Sequence, residues 1–212
     1  MVSLTRNPWF SIWTQPRATI REILDTDPRR HVLWLAMLGG FLSALGQASI
    51  KNWGDRLPLA TILLLCAVGG GILGGPLGLY LGGFLSRWTG RWIGGQATSE
   101  QLRAAIAWSY VPVIWVGILW IPELALFGQE MSTSVTPRME ANPSLAFVMI
   151  GFGVLEIVVG IWTVMVALKC LGEAQRFSAW KALGNVLLAL TVIVILALTL
   201  GVLLPVLVSG LG

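Results

Sequence analysis

Hydrophobic residues fall into five long runs that are separated by short polar segments. The runs cover roughly residues 32–50, 57–86, 104–127, 144–171 and 182–208. A helix needs about 20 residues to cross the hydrocarbon core of a bilayer. Backbone groups find no water to bond in that core, so membrane-spanning segments of this kind are helical. The pattern therefore predicts an all-α integral membrane protein with five transmembrane helices.

The basic residues divide unequally between the two sides that this arrangement defines. Eleven of the 14 lysines and arginines lie before the first run or in the loops that follow the second and fourth runs. The other side holds only Lys51, Arg56 and Arg138. Because cytoplasmic loops carry the excess of Lys and Arg, we expect the N-terminus inside and the C-terminus outside. The expected location is the cell (inner, cytoplasmic) membrane, as a multi-pass protein.

Residues 1–31 precede the first run and predict a separate cytosolic, interfacial amphipathic segment, while residues 32–212 form the five-span domain. Trp9 and Trp13 supply an apolar side, and Arg17 and Arg21 lie one turn apart on a polar side. Such a helix rests in the headgroup layer, with its basic side chains toward anionic lipid. These four residues are the predicted lipid contacts. The alternatives are a lid packed under the bundle or a helix that docks a partner.

Composition agrees with a membrane protein and offers little chemistry. The chain is 56% hydrophobic and 11% charged, whereas soluble domains are about 25% charged. Cys66 and Cys170 lie in or beside apolar runs and are expected to be free thiols, and His31 is the only histidine. No zinc-protease, serine-hydrolase or phosphate-loop motif occurs. We therefore expect no enzymatic activity, no metal, no cofactor and no nucleic-acid partner.

The second run is rich in glycine and contains a proline. Glycines recur at four-residue spacing, a pattern that allows close helix contact, and Pro76 should kink the helix. Pro112 should bend the third span in the same way. The residues predicted for kinks and close packing are Gly70, Gly74, Gly75, Pro76, Gly78 and Pro112. The alternative is a discontinuous helix whose exposed backbone binds a substrate at the membrane midplane.

Glu156 lies in the middle of the fourth run, where a carboxylate is costly without a partner. It shares a helical face with Gly153 and Gly160, so it should point into the bundle. Its depth suggests Trp115, Thr191 and Thr199 as partners, and no basic residue is predicted there. The site is either a polar clamp between helices, a proton or cation site, or a lipid-headgroup pocket.

Glu123 follows Pro122 near the outer end of the third span. We expect it to be shallow and solvated. Counting about 1.5 Å per helical residue puts it roughly 15 Å in depth from Glu156. Chemistry by a carboxylate pair is therefore not expected.

Three segments resemble a known family of membrane proteins. They are Asn7-Pro8-Trp9 through Arg21, then Thr98 through Val113 with Trp108-Ser109-Tyr110-Val111-Pro112, and finally Trp162 through Leu183 with Lys169-Cys170-Leu171-Gly172-Glu173. Together and in this order they resemble the prokaryotic branch of the Yip family (Ypt/Rab-interacting, "Yip-one domain"). The resemblance implies a five-helix bundle with a cytosolic N-terminus. Eukaryotic members are associated with Rab GTPases, membrane trafficking and curvature.

The expected function is a non-enzymatic membrane scaffold or adaptor that organises lipid or membrane-protein partners. We expect the chain to form a homo-oligomer and to contact membrane lipids. The alternative is a small transporter, channel or lipid-handling protein that uses Glu156 and the glycine-rich second span.

Overall fold

The computed structural model of the chain describes the backbone of residues 6–209 and the side chains of residues 6–201. The first five and last three residues of the two predicted domains lie outside that range. Five helical segments in the described part are long and apolar enough to cross a membrane, and they occur where the hydrophobic pattern predicts them. The described residues contain helices and no strands. The predicted fold class is confirmed.

Two short helices precede the spans, and both begin at a proline, a residue whose fixed φ suits the first helical position. They are α1 (Pro8–Thr14) and α2 (Pro16–Thr26). The side chain of Asn7 caps α1 by accepting a hydrogen bond from the Trp9 backbone N–H at 3.1 Å.

The first, fourth and fifth spans are single helices: α3 (Val32–Ile50), α10 (Pro143–Gln175) and α11 (Ala179–Ser209). The second span consists of α4 (Leu59–Leu65), a π-helical segment (Cys66–Gly74) and α5 (Gly75–Trp92). The third span consists of α6 (Ser99–Ser109), α7 (Val111–Val116), a 3₁₀ turn (Gly117–Leu119), α8 (Trp120–Phe127) and a second 3₁₀ segment (Gly128–Ser132). Short helices at Trp53–Asp55 (3₁₀) and α9 (Pro137–Ala141) lie in the loops.

The second span widens into its π-helical segment immediately before Pro76. The Gly75 N–H bonds to the Gly70 carbonyl five residues earlier, which is the π-helical pattern. Gly70 and Gly75 therefore lie on one face, where an added Cβ at Gly70 would meet Ala44 and one at Gly75 would meet the Ala36 carbonyl of α3. The π-helical segment before Pro76 thus coincides with a close backbone contact between the first two spans.

Two of the glycines predicted to pack closely do not do so. An added Cβ at Gly78 would meet nothing within 4 Å, and one at Gly74 would meet only the carbonyl of Gly69 in its own segment. The reason is the π-helical turn, which replaces the four-residue spacing by five and rotates Gly74 and Gly78 away from α3. Pro112 lies in the first turn of α7, directly after a turn at Tyr110, so the α-helix of the third span is interrupted there.

The densest packing lies at the end of the bundle that carries α1, α2, the α5–α6 loop and the α10–α11 turn, which we call the basic end. Ile12, Ile20 and Ile23 of the two N-terminal helices are buried there with Trp108 and Cys170. The other end, formed by residues 51–58 and 128–142, we call the opposite end. The described part of the N-terminal segment is therefore packed under the bundle as a lid, one of the alternatives above.

Candidate functional site

A small cavity of about 80 Å³ lies between α8 and α10 and contains both intramembrane carboxyl groups. From α8 it is lined by Trp120, Glu123 and Phe127, and from α10 by Met149, Phe152, Gly153 and Glu156. Ser49 and Met131 complete the lining on the side of the opposite end. The spacing of three, four and seven residues places each set on one helical face. Glu123 and Glu156 are thus brought together across a helix interface.

The two carboxyl groups differ in their surroundings. Glu123 is only 4% exposed, and its Oε1 has no hydrogen-bond partner among the described residues. Glu156 is half-buried, and Trp120 lines the same cavity beside it. None of the described residues lining the cavity is basic. The site therefore has an excess of acceptor oxygens and of potential negative charge.

The prediction that Glu123 is solvated is wrong, because its side chain is only 4% exposed. The estimate of its separation from Glu156 assumed straight helices with about 1.5 Å of rise per residue. The third span is instead interrupted by the turn at Tyr110 and the 3₁₀ turn at Gly117–Leu119. A count along one axis does not describe such a segment, and both glutamates reach the same crevice.

The predicted partners of Glu156 lie elsewhere. Trp115 packs its ring on Phe10 of α1, with the ring centroids 5.5 Å apart. Thr191 and Thr199 donate their hydroxyl hydrogens to the Leu187 and Leu196 carbonyls of their own helix, each at 2.9 Å, and both are exposed. Matching residues by depth failed because it does not determine which helix faces meet.

A buried polar cluster at the basic end was missed in the sequence. Gln175 and Asn185 each donate a side-chain N–H to the Ser86 carbonyl, at 3.0 and 2.9 Å. Thr89 donates its hydroxyl to the Asn185 side-chain oxygen at 2.6 Å. These four residues, which we call the polar knot, join the ends of α5, α10 and α11. The available signal was an asparagine at the start of an otherwise apolar span.

The family model of the Yip1 domain matches residues 10–201, which is nearly the whole chain and includes α2, most of α1, the first four spans and the fifth as far as residue 201. The chain belongs to the Yip1 domain family. No curated protein and no solved structure matches it. Assignment to the prokaryotic branch stays a prediction.

In this Yip1 domain the predicted lipid contacts have protein partners at the basic end. Trp9 packs edge-to-face on Trp108, with centroids 6.1 Å apart, and the Trp13 carbonyl accepts from the Trp162 indole at 3.1 Å. Trp9 and Trp13, two of the four predicted lipid contacts, thus help to hold the lid against α6 and α10. This role does not depend on their contacts with lipid.

The two arginines of α2 border a groove of about 570 Å³ at this end of the Yip1 domain. Arg21 donates to the Glu173 carboxylate at 2.7 Å, and Arg17 donates to the Phe177 carbonyl at 3.3 Å. Arg176 also lines the groove. Acidic and basic side chains therefore both line the groove. The hydrogen bonds of Arg17 and Arg21 help to hold α2 on the α10–α11 turn.

Proposed function

We propose that this Yip1 domain is a non-enzymatic membrane scaffold of the cell membrane that binds other membrane-embedded helices through its fourth and fifth spans. The observation that carries the proposal is the uneven burial of the spans. In the most apolar stretch of the third span 39% of the residues are buried, against 6% for α10 and 11% for the described part of α11. These two spans are held at the basic end and leave most of their surface open.

The open surface of α10 has the spacing of a helix-packing face. Phe147, Val154, Val158 and Ile161 are 74, 56, 57 and 61% exposed and follow one another at three-, four- and seven-residue steps. Gly151 lies on the same face, is exposed, and has nothing within 4 Å of an added Cβ. Apolar side chains gain nothing by leaving lipid, so helices associate in membranes where small residues allow close approach. Gly151 is such a position.

A second copy of the chain is the partner that this proposal commits to. We expect copies labelled with donor and acceptor fluorophores to show energy transfer in vesicles, and the transfer to fall as lipid is added. Gly151→Leu should weaken association by about tenfold, or roughly 1.4 kcal/mol. The matched control is Gly46→Leu, at a glycine of α3 that also has nothing within 4 Å of an added Cβ.

The scaffold proposal fails if the protein stays monomeric at every lipid ratio, or if both leucine variants behave alike. A scaffold transports and converts nothing, so it needs no carboxyl group for turnover. Glu156 lines the cavity and not the exposed face that carries Gly151, so Glu156→Gln should leave self-association unchanged. A Glu156→Gln protein that retained its fold but lost self-association would contradict this proposal.

A further inference from the structure

The carboxyl cavity contains charge that the protein itself does not balance. Its two glutamates come from different spans, and the described lining residues include no lysine, arginine or histidine. Among the described lining residues Ser49 alone carries a hydroxyl, and it donates its hydrogen to the Met131 carbonyl. The oxygen Oε1 of Glu123 is buried and has no hydrogen-bond partner in the described part of the chain.

Other charged groups on the elements around the cavity do not line it. Lys51 follows α3 at the opposite end, and Glu130 accepts from the Arg138 backbone N–H at 3.0 Å. On α10, Lys169 and Glu173 lie roughly four to five turns beyond Glu156 toward the basic end. Burying carboxylates without a cation or hydrogen bonds is costly, so the missing positive charge must come from an occupant.

We propose that Glu123 and Glu156 form one cation-binding site, occupied by protons or by a small hard metal cation such as Na⁺ or Ca²⁺. Carboxylate oxygens suit both occupants, because hard cations select oxygen ligands. A volume of about 80 Å³ admits such a cation with one or two waters, at roughly 30 Å³ each. The lining runs from Glu156 to Ser49 and Met131, so the occupant enters from the opposite end.

The defining property of this site is that the two carboxyls act together. We suggest infrared difference spectra of the full chain in lipid nanodiscs, comparing samples with and without Na⁺ or Ca²⁺ at fixed pH, and samples at different pH without metal. In wild type, adding metal should convert a protonated carboxyl band to carboxylate bands, and lowering the pH without metal should do the reverse. Glu123→Gln should change the response of Glu156, Glu156→Gln should change that of Glu123, and the double variant should lose both.

The matched control is Glu140→Gln, which removes an exposed carboxyl of α9 at the opposite end. It should keep the paired response. A change on adding metal at fixed pH identifies a metal occupant, whereas a coupled response to pH alone identifies protons. Two glutamates that respond independently, or a double variant with the wild-type spectrum, would overturn the proposal.

A second measurement protects the test against misfolded variants. The melting temperature of wild type should rise when the occupant is added, because a ligand that binds only the folded state stabilises it. No shift with metal and no coupled infrared response to pH would together overturn the site. The self-association proposed above does not depend on these carboxyls. The failure of one proposal is therefore distinguishable from the failure of the other.

Discussion

Asn185 shows how a single polar residue can join three spans. It donates to the Ser86 carbonyl of α5, accepts from Thr89, and shares the Ser86 carbonyl with Gln175 of α10. Asn185 itself is 1% exposed and Gln175 is 2% exposed. Removing the Asn185 side chain takes two buried hydrogen bonds from the cluster, while Thr89 still donates to the Leu85 carbonyl at 2.9 Å and the Ser86 carbonyl still accepts from Gln175.

We expect Asn185→Leu to lower the free energy of unfolding by about 1–2 kcal/mol. The substitution keeps the branching and the number of side-chain heavy atoms but removes both hydrogen bonds. Thermal or denaturant unfolding in detergent micelles measures the loss. The control is Thr191→Val on the same helix, which removes a hydroxyl that bonds only to its own helix. Equal stability of the two variants would show that the polar knot contributes nothing.

Asp55 provides a pH-dependent contact at the opposite end. Its Oδ1 accepts from the Ser134 backbone N–H at 2.9 Å, joining the two loops of that end. The backbone N–H of Ser134, and then its side chain, lower the pKa of Asp55 from its ordinary value of 3.8. A depressed pKa in the folded state means that the contact stabilises the fold above that ordinary value and is lost as the pH falls through the folded-state pKa.

Asp55→Asn should therefore lower the melting temperature at neutral pH, and the gap from wild type should close in acid, below pH 3.8. Melting curves across this range test the expectation. Asp25→Asn, at an exposed aspartate of α2, serves as the control for a general effect of charge. A gap that stays constant with pH would mean that the asparagine acts through something other than the titration of Asp55.

At the scale of elements, the π-helical segment determines how the first two spans meet. An added Cβ at Gly75 would collide with the Ala36 carbonyl, which is backbone and cannot rotate away. We expect Gly75→Ala to lower the free energy of unfolding by about 1–3 kcal/mol. Gly78→Ala, three residues later, meets open space and should be neutral or stabilising by up to about 1 kcal/mol.

Both variants can be compared by thermal unfolding in the same lipid or detergent. A double-cysteine crosslink between α3 and the π-helical segment would report whether the helices separate. If Gly78→Ala destabilises as much as Gly75→Ala, the contact with α3 does not explain the loss, because the higher helix propensity of alanine favours both variants equally.

These elements also show which parts of the structure the sequence could predict. Hydrophobic run length determines where spans occur, because the bilayer sets one thickness for all of them, and the five spans follow from it. The contact of Gly70 and Gly75 with α3 depended on a π-helical turn, and the meeting of Glu123 with Glu156 depended on breaks in the third span. Neither feature leaves a periodic signal, since each changes the helical period locally.

At the scale of the whole molecule, the unequal packing of the two ends matches the unequal charge. The basic end holds the lid, the polar knot and most of the buried core. The opposite end is joined by loop contacts such as the Gln129 side-chain N–H to the Gly54 carbonyl at 2.7 Å. A bundle fixed at one end leaves α10 and α11 free to accept a neighbour along their length, as the scaffold proposal requires.

The orientation of the bundle decides which compartment the carboxyl cavity serves, and it is predicted only by the basic residues. Gln96 lies exposed in the α5–α6 loop of the basic end, and Val135 is 64% exposed at the opposite end. With Cys66 and Cys170 replaced by alanine, a membrane-impermeant maleimide should label Val135→Cys on intact cells, and Gln96→Cys only after permeabilisation. The positive-inside rule predicts that result. It would mean that the Glu123–Glu156 site opens to the outside. The reverse labelling would place its entrance in the cytoplasm, and a cation gradient across the membrane would then act on the site from the other side.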